Sequence, residues 1–358
     1  MTKAPLRARL ALPGDPATPT GGYVYDRRLM GAAPGAGLDL SLLPLPGGFP
    51  TPCGATLAAA LGILRAAADA DPSPIFIDGL AMGVMPAEAL AALPVPVIAL
   101  HHHPLGMEPG LAPERAAALI ASETAALAAC AAVLTTSHET AKTLTGRLGV
   151  PPEKIAVALP GLDRAPAAPR RGTPPHILGV GTISARKGWD VLARALAQLA
   201  DLPWTAEIIG PRDREPAADA ALQGLIEELG LSPRLRLSGP QPAEALRDAY
   251  QGADAFCLPS RYEGFGMVAA EAMAHALPVV TTTAGALPEA TGGAALLVPP
   301  DDAEALAGAL RRVLTDRAEA DRMAAASAAR AAALPTWEDA ARIAAGLIAR
   351  VTRTEDAA

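Results

Sequence analysis

Residues 258–300 read LPSRYEGFGMVAAEAMAHALPVVTTTAGALPEATGGAALLVPP, and this stretch organises the chain. Glu263 and Glu271 stand with seven residues between them; Gly264 and Gly266 follow the first, and an alanine-rich helical run carries the second. The preceding Ala253-Asp-Ala-Phe-Cys-Leu-Pro259 reads as a short buried strand, and Pro278-Val-Val-Thr-Thr-Thr283 as the next parallel strand. Both carboxylates are therefore expected at the C-terminal edge of an open α/β sheet, where ligands bind in doubly wound folds. A helix beginning near Phe265 to Met267 would aim unpaired backbone N–H groups at a phosphate or a sugar hydroxyl. Glu271, further into that helix, would accept two hydrogen bonds from a vicinal diol such as a ribose if Ala270, Met273 and Ala274 pack inward. The competing reading is a solvated helix with glutamates favoured near its N-terminus.

A chain of 358 residues suggests two domains. Aromatic residues make up only 3% of it, so its cores must rest on alanine and aliphatic side chains. No window approaches the roughly 20 apolar residues of a bilayer-crossing helix. The N-terminal MTKAPLRARLALPGD reads as a first strand rather than a signal peptide. Cys53, Cys130 and Cys257 lack metal-ligand spacing, and their odd number argues against a disulfide framework. These features predict a cytoplasmic protein. A net charge of -7 without a basic cluster argues against nucleic acid as the partner.

From the N-terminus, strand Arg7 to Leu12 leads through a turn-rich segment to Gly21-Gly22 and a helix over Tyr23 to Met30. Such a glycine pair serves either a ligand approaching the backbone or an ordinary tight turn. Strands and helices then alternate, and the strand Val95 to Leu100 ends in His101-His102-His103. Adjacent extended residues point to opposite sides, which disfavours convergence on one metal ion. A histidine bonded to phosphate or sugar is expected instead, against the alternative of loop histidines fixing a turn before Pro104. Arg164 to Pro175 reads as a linker between two domains, with nothing periodic to bury. Beyond it, Arg186-Lys187-Gly188 lies between a strand and a helix. Two cations beside a helix N-terminus suit a diphosphate, Arg as a planar fork and Lys as a point charge. Asp69-Ala-Asp71 precedes a strand and reads as a helix-to-strand turn, not as the metal-binding acidic pair of metal-dependent transferases.

Gly179-Val-Gly-Thr-Ile-Ser-Ala-Arg-Lys-Gly188, Ala253 to Gly266, Glu271-Ala-Met-Ala274, Pro278-Val-Val-Thr281, Gly285-Ala-Leu-Pro-Glu289 and Leu297-Val-Pro-Pro-Asp-Asp302 together resemble the retaining glycosyltransferases of family 4. The resemblance covers essentially the whole second domain; the first matches more loosely, through Gly21-Gly22 and the histidines. It implies the GT-B architecture, two Rossmann-like α/β domains with parallel sheets facing a cleft: residues 1–165 for the acceptor, 166–334 for the nucleotide sugar, and a terminal helix in 335–358 returning to the first. It implies that Arg186 and Lys187 bind the donor diphosphate and that Glu271 holds the ribose. Glu263, Gly264, Phe265, Gly266, Met267 and Val268 would contact the donor, with Gly21 and Gly22 near its phosphates. His102 or His103 would be the catalytic histidine, the run of three leaving the register open. The implied activity is metal-independent transfer of a hexose from a UDP- or GDP-sugar to an acceptor hydroxyl, with no cofactor. A GT-B epimerase and a non-catalytic nucleotide-sugar-binding protein are the alternatives. Peripheral membrane contact is left open, because many family members act on lipid acceptors, although the helix at 55–70 is not basic.

Overall fold

A computed structural model describes residues 5–355 of the chain. They form two compact units, one comprising the described residues up to 161 together with those from 335 onward, the other residues 162–334.

The first unit is built on β1 (Leu6–Pro13), β2 (Leu38–Leu45), β3 (Ile75–Asp78), β4 (Val97–His101), β5 (Ala132–Thr135) and β6 (Ile155–Val157), in the order β2-β1-β3-β4-β5-β6. Every pairing is parallel. Runs such as Ile75-Phe-Ile-Asp78 are buried at every position, the pattern expected when helices cover both faces of a parallel sheet. The order turns back at β1, whose neighbours are β2 and β3, so the crevice for a ligand opens where β1 and β3 diverge.

The second unit repeats the plan with β7 (His176–Val180), β8 (Thr205–Ile209), β9 (Leu235–Ser238), β10 (Ala255–Leu258), β11 (Val279–Thr282) and β12 (Leu296–Val298). Their order is β12-β11-β10-β7-β8-β9, again all parallel, with the switch point between β7 and β10. With so few aromatics, Trp189, Trp204 and Phe256 fill the widest gaps of this core, and Ala193, Ala195, Ala269 and Ala272 let helices approach the sheet closely. The helices starting at Ala303 and Arg317 are capped by Asp302 and Asp316, whose carboxylates accept from Ala305 N and Glu319 N.

The segment 164–175 departs from the expected linker. Ala168 is buried and donates its N–H to His275 O at 2.8 Å, while Arg170 reaches Asp321 at 2.6 Å. Its lack of periodicity reflects an irregular path held by polar contacts to the second unit, not an absence of contacts. Two short helices, Gly79–Met82 and Leu287–Thr291, were not legible because neither is long enough to show a periodic apolar face. Asp71 ends the helix Gly54–Ala70 and accepts from Ser73 Oγ at 2.7 Å, a helix-to-strand turn. All three cysteines are free thiols. No described helix is long and apolar enough to cross a membrane.

Candidate functional site

In the second unit, β7 and β10 deliver two loops to the switch point. The first runs through Gly181 into the turn Ala185–Lys187; Gly188 then adopts a left-handed conformation (φ 67°) and starts the helix Trp189–Ala197. A side chain at Gly188 would stand 2.2 Å from Pro259 O, so only glycine lets the two loops meet. The second loop is pinned to the first where Arg261 N donates to Arg186 O at 2.8 Å. The Arg261 guanidinium also holds Asp190 through both oxygens, at 3.0 and 2.9 Å.

That backbone brings Lys187 and Glu263 together. Lys187 Nζ donates to Glu263 Oε1 at 2.5 Å, Ser260 Oγ donates to the same oxygen at 2.7 Å, and Arg186 Nη1 lies 3.4 Å from Oε2. Arg186 is further held by Tyr262 O at 2.8 Å. Glu263 and Lys187 are only 7% and 8% exposed. Burial by itself would push the Glu263 carboxyl up; the Lys187 and Arg186 charges and the two hydrogen bonds overcome it and hold the carboxyl at about 2. Glu263 is thus an anion throughout the physiological range, and two cations against one carboxylate leave the cluster with a net positive charge.

Gly264, Phe265 and Gly266 carry the chain from Glu263 to the helix Met267–Ala274, which Gly266 opens in a left-handed conformation (φ 97°) with no side-chain cap. The first N–H groups of that helix, Met267 and Val268 among them, have no intrahelical acceptor. Ala270 and Met273 are buried as the expected packing requires, while Ala274 is half-buried. Glu271 is half-buried, and its Oε2 accepts from the buried Tyr250 hydroxyl at 2.9 Å. Burial, then the Glu271 charge, pushes the Tyr250 phenol far above its ordinary range, so it remains a donor. Tyr250 is held in turn by stacking on His275, with ring centroids 5.1 Å apart.

In the first unit the three histidines diverge. His101 ends β4 fully buried, its Nε2 3.3 Å from Glu123 Oε1. His103 turns to Glu108, Nε2 to Oε1 2.5 Å, across the short turn Leu105–Met107. Glu123 fixes that turn by accepting from Leu105 N at 2.9 Å and Gly106 N at 3.3 Å. His102 alone reaches the helix Gly21–Ala32: its Nε2 lies 3.0 Å from Asp26 Oδ1 and 3.6 Å from Asp78 Oδ2. A side chain at Gly22 would sit 3.1 Å from His102 Cδ2, whereas one at Gly21 would meet nothing within 4 Å. Tyr25 presents its ring edge-on to His102 at 5.4 Å.

The structure therefore gathers Arg186, Lys187 and Glu263, with Gly264 to Val268 and Glu271 on the adjoining loop and helix, at one switch point, and Gly22 with His102 at the other. It separates His103 from His102. Sequence reasoning missed Asp26, Asp78, Ser260, Tyr250 and Arg261. Asp26 carried a signal: with Tyr25, Leu29 and Ala33 it falls on the buried stripe of its helix, where a carboxylate needs a partner.

Comparisons with known proteins agree with this architecture. Residues 174–316 match the family described as glycosyl transferases group 1, and residues 29–165 match glycosyltransferase family 4. Curated relatives include a D-inositol 3-phosphate glycosyltransferase of Kineococcus radiotolerans, 35% identical over 251 residues, covering 62% of this chain and 58% of the relative. Another, from Corynebacterium urealyticum, is 39% identical over 196 residues, covering 51% and 46%. The matched part thus spans about half the length of these curated relatives. Among solved structures, sucrose-phosphate synthase from Thermosynechococcus elongatus superposes with a TM-score of 0.81 at 25% identity, covering 98% of this chain and 99% of that one. Anabaena HepE in complex with UDP-glucose gives 0.76 at 19% identity, covering 99% and 100%. With two parallel six-stranded sheets, two family matches that follow one another along the sequence and these relatives, the chain belongs to the group 1, family 4 glycosyltransferases of GT-B fold.

Proposed function

We propose that this protein transfers a hexose from a UDP- or GDP-sugar to an acceptor hydroxyl, with retention of configuration and without a metal ion. Residues 166–334 would bind the donor and residues 1–165 the acceptor, the terminal helix serving the latter. The observation that carries this reading is the cluster of Lys187, Arg186 and Glu263 at the switch point of the second sheet, with Lys187 and Glu263 2.5 Å apart.

In the reaction, the bond from the anomeric carbon to the diphosphate oxygen breaks while the acceptor oxygen bonds to that carbon, and the acceptor's hydroxyl proton passes to the departing diphosphate oxygen. Negative charge grows on the diphosphate and positive charge on the sugar. Lys187 and Arg186, with the first N–H groups of the helix Met267–Ala274, stabilise the departing diphosphate electrostatically, from groups already in place before the donor arrives. Glu263 compensates the two cations and, with Gly264, Phe265 and Gly266, contacts the donor sugar. Glu271, held by Tyr250, accepts from the ribose hydroxyls, and Met267 and Val268 line the same helix start. Gly22, with Gly21 beside it, keeps the first-unit loop thin enough for the phosphates to approach, and His102 is the histidine at that loop. UDP-glucose is the first donor to try, because a fold-mate has been solved with it. A polyol phosphate is the first acceptor, because relatives are named for inositol 3-phosphate.

The experiment is a thermal-shift screen of UDP- and GDP-sugars with and without chelator, followed by a product assay with inositol phosphates and free sugars. Ligand-dependent stabilisation follows the excess of ligand over its dissociation constant. Stabilisation by one nucleotide sugar, unchanged by chelator, together with transfer to an acceptor, supports the proposal. Binding with no transfer to any hydroxyl, or conversion of the donor sugar to its epimer, refutes it.

A further inference from the structure

Three ionisable groups from three separate elements share one closed space at the switch point of the first sheet. Asp26 comes from the helix Gly21–Ala32, Asp78 from the end of β3, and His102 from the loop after β4. The carboxylates are 0% and 2% exposed. One oxygen of each is aimed at the same imidazole nitrogen, His102 Nε2, at 3.0 Å from Asp26 Oδ1 and 3.6 Å from Asp78 Oδ2. Asp78 Oδ1 is occupied by Leu80 N at 2.9 Å, and Asp26 Oδ2 has no hydrogen-bond partner among the described residues. Among the described residues no other charged group faces the His102 ring; Tyr25 closes its edge, and the helix backbone at Gly22 closes another side.

Two buried carboxyls facing one imidazole do not both ionise in the ordinary carboxylate range, because the charge on one holds the proton on the other. Burial, and then the Asp26 charge, push the Asp78 carboxyl up to about 7. Burial works against the His102 imidazolium, but the Asp26 charge and hydrogen bond, with Asp78, raise it above the ordinary histidine range. The paired carboxyls thus favour a proton on His102, while Asp78, pushed up to about 7, exchanges its proton near neutrality.

We propose that Asp26 is a positioning residue for His102, fixing the ring through Nε2–H and holding it as the imidazolium, with Asp78 as the proton store of the same cluster. The hydrogen bond made by one ring nitrogen decides what the other presents. With Nε2 committed to Asp26, His102 offers the site a fixed cation and its Nδ1–H, rather than a base. His102 then adds positive charge to its switch point instead of removing a proton from an acceptor.

The catalytic part of this inference rests on the proposed glycosyl transfer, so the experiment separates the two. In the full chain, Asp26→Asn keeps the shape of the site and removes the charge, and the 15N resonances of the His102 imidazole report its protonation directly. The expected result is that wild-type His102 is protonated at pH 7 and that Asp26→Asn makes it at least about tenfold easier to deprotonate, one full pH unit. Turnover should fall about tenfold or more, with the donor KM within about twofold. Asp78→Asn should leave His102 protonated and erase the small inflection that Asp78 imposes on the His102 shifts near neutrality. Unchanged His102 titration in Asp26→Asn overturns the proposal. So does stoichiometric zinc binding by the wild type that Asp26→Asn abolishes, since the three groups would then be metal ligands. If His102→Ala leaves turnover intact, the transfer reading fails at this residue while the imidazole titration still judges Asp26.

Discussion

Lys187 and Glu263 stand 76 residues apart in sequence and 2.5 Å apart in space, as a nearly inaccessible ion pair whose carboxylate also accepts from Ser260. The pair is assembled by backbone: the Gly188 turn passes under Pro259, and Arg261 N bonds to Arg186 O. A buried pair of this kind stabilises little relative to an apolar replacement, but removing one partner strands the other charge. Lys187→Ala leaves Glu263 to Arg186 and Ser260, so it should destabilise the fold by about 1–3 kcal/mol, less than a fully stranded charge, and abolish donor binding. Chemical denaturation and calorimetric titration with a UDP-sugar measure the two effects on one sample. Unchanged stability with lost donor binding would show that Glu263 finds another partner.

The same pair sets an acid limit. Glu263 is held at about 2 in the folded state against an ordinary 4.5. Its contribution is complete above about pH 4.5 and disappears as pH falls through about 2, because the unfolded chain takes up the proton first. The shift is worth on the order of 3 kcal/mol. Glu263→Gln should flatten stability across pH 2–5 while leaving the trend above pH 6 unaltered. Urea unfolding at a series of pH values reads this directly.

Tyr250 should matter mainly through Glu271. Tyr250→Phe keeps the stacking on His275 and removes the hydroxyl that donates to Glu271 Oε2 at 2.9 Å and lies 3.3 Å from Val268 O. Donor affinity should weaken by roughly tenfold, about 1.4 kcal/mol, with turnover at saturating donor nearly preserved. Glu271→Ala should lose more affinity than Tyr250→Phe. Equal donor affinity in wild type and both variants would remove Glu271 from the ribose.

Gly21 and Gly22 make a matched pair. Gly21→Ala meets no protein atom within 4 Å and should cost clearly less activity than Gly22→Ala, with equal or slightly greater thermal stability. Gly22→Ala must press on His102 Cδ2 at 3.1 Å, shifting the ring and reducing turnover by roughly tenfold. Steady-state kinetics on the two variants distinguishes a ligand-approach glycine from an ordinary turn.

His102 and His103 should separate as cleanly. His102→Ala is expected to reduce turnover about a hundredfold, because it removes the preorganised polar group facing the Gly22 loop. His103→Ala breaks the contact to Glu108 across the turn Leu105–Met107, away from the Gly22 loop, and should change turnover by less than about threefold. Comparable losses in both would refute the choice between them.

What could be read in advance followed from where side chains leave a strand. A strand ending at Pro259, a glycine pair and an alanine-rich helix place Glu263 at a sheet edge whatever the tertiary detail, and Arg186-Lys187 fall under the same rule. His102 could not be told from His103, because three adjacent histidines look alike until their partners are known. Those partners, Asp26, Glu108 and Glu123, lie on other elements. Asp26 was hidden among Arg27 and Arg28, where a solvated helix face is the obvious reading, though only one side of that helix is wet. Segment 164–175 misled for the opposite reason: proline and arginine hide Ala168, whose burial depends on the path of the chain rather than on any period.

The first unit is discontinuous. Its sheet and the helix bearing Asp26 are complete by Gly161, but Trp337, which packs its indole 5.5 Å from the Tyr25 ring and lies beside Gly161, belongs to the final helix. A ribosome therefore delivers the whole second unit before it delivers the residue that closes the layer behind His102. A nascent chain halted at Leu334 would hold a finished second unit and a complete first sheet still lacking the helix that bears Trp337, exposing Tyr25 and the apolar side of its helix. During synthesis the aggregation-prone interval belongs to the half made first, and it ends only when the last helix emerges.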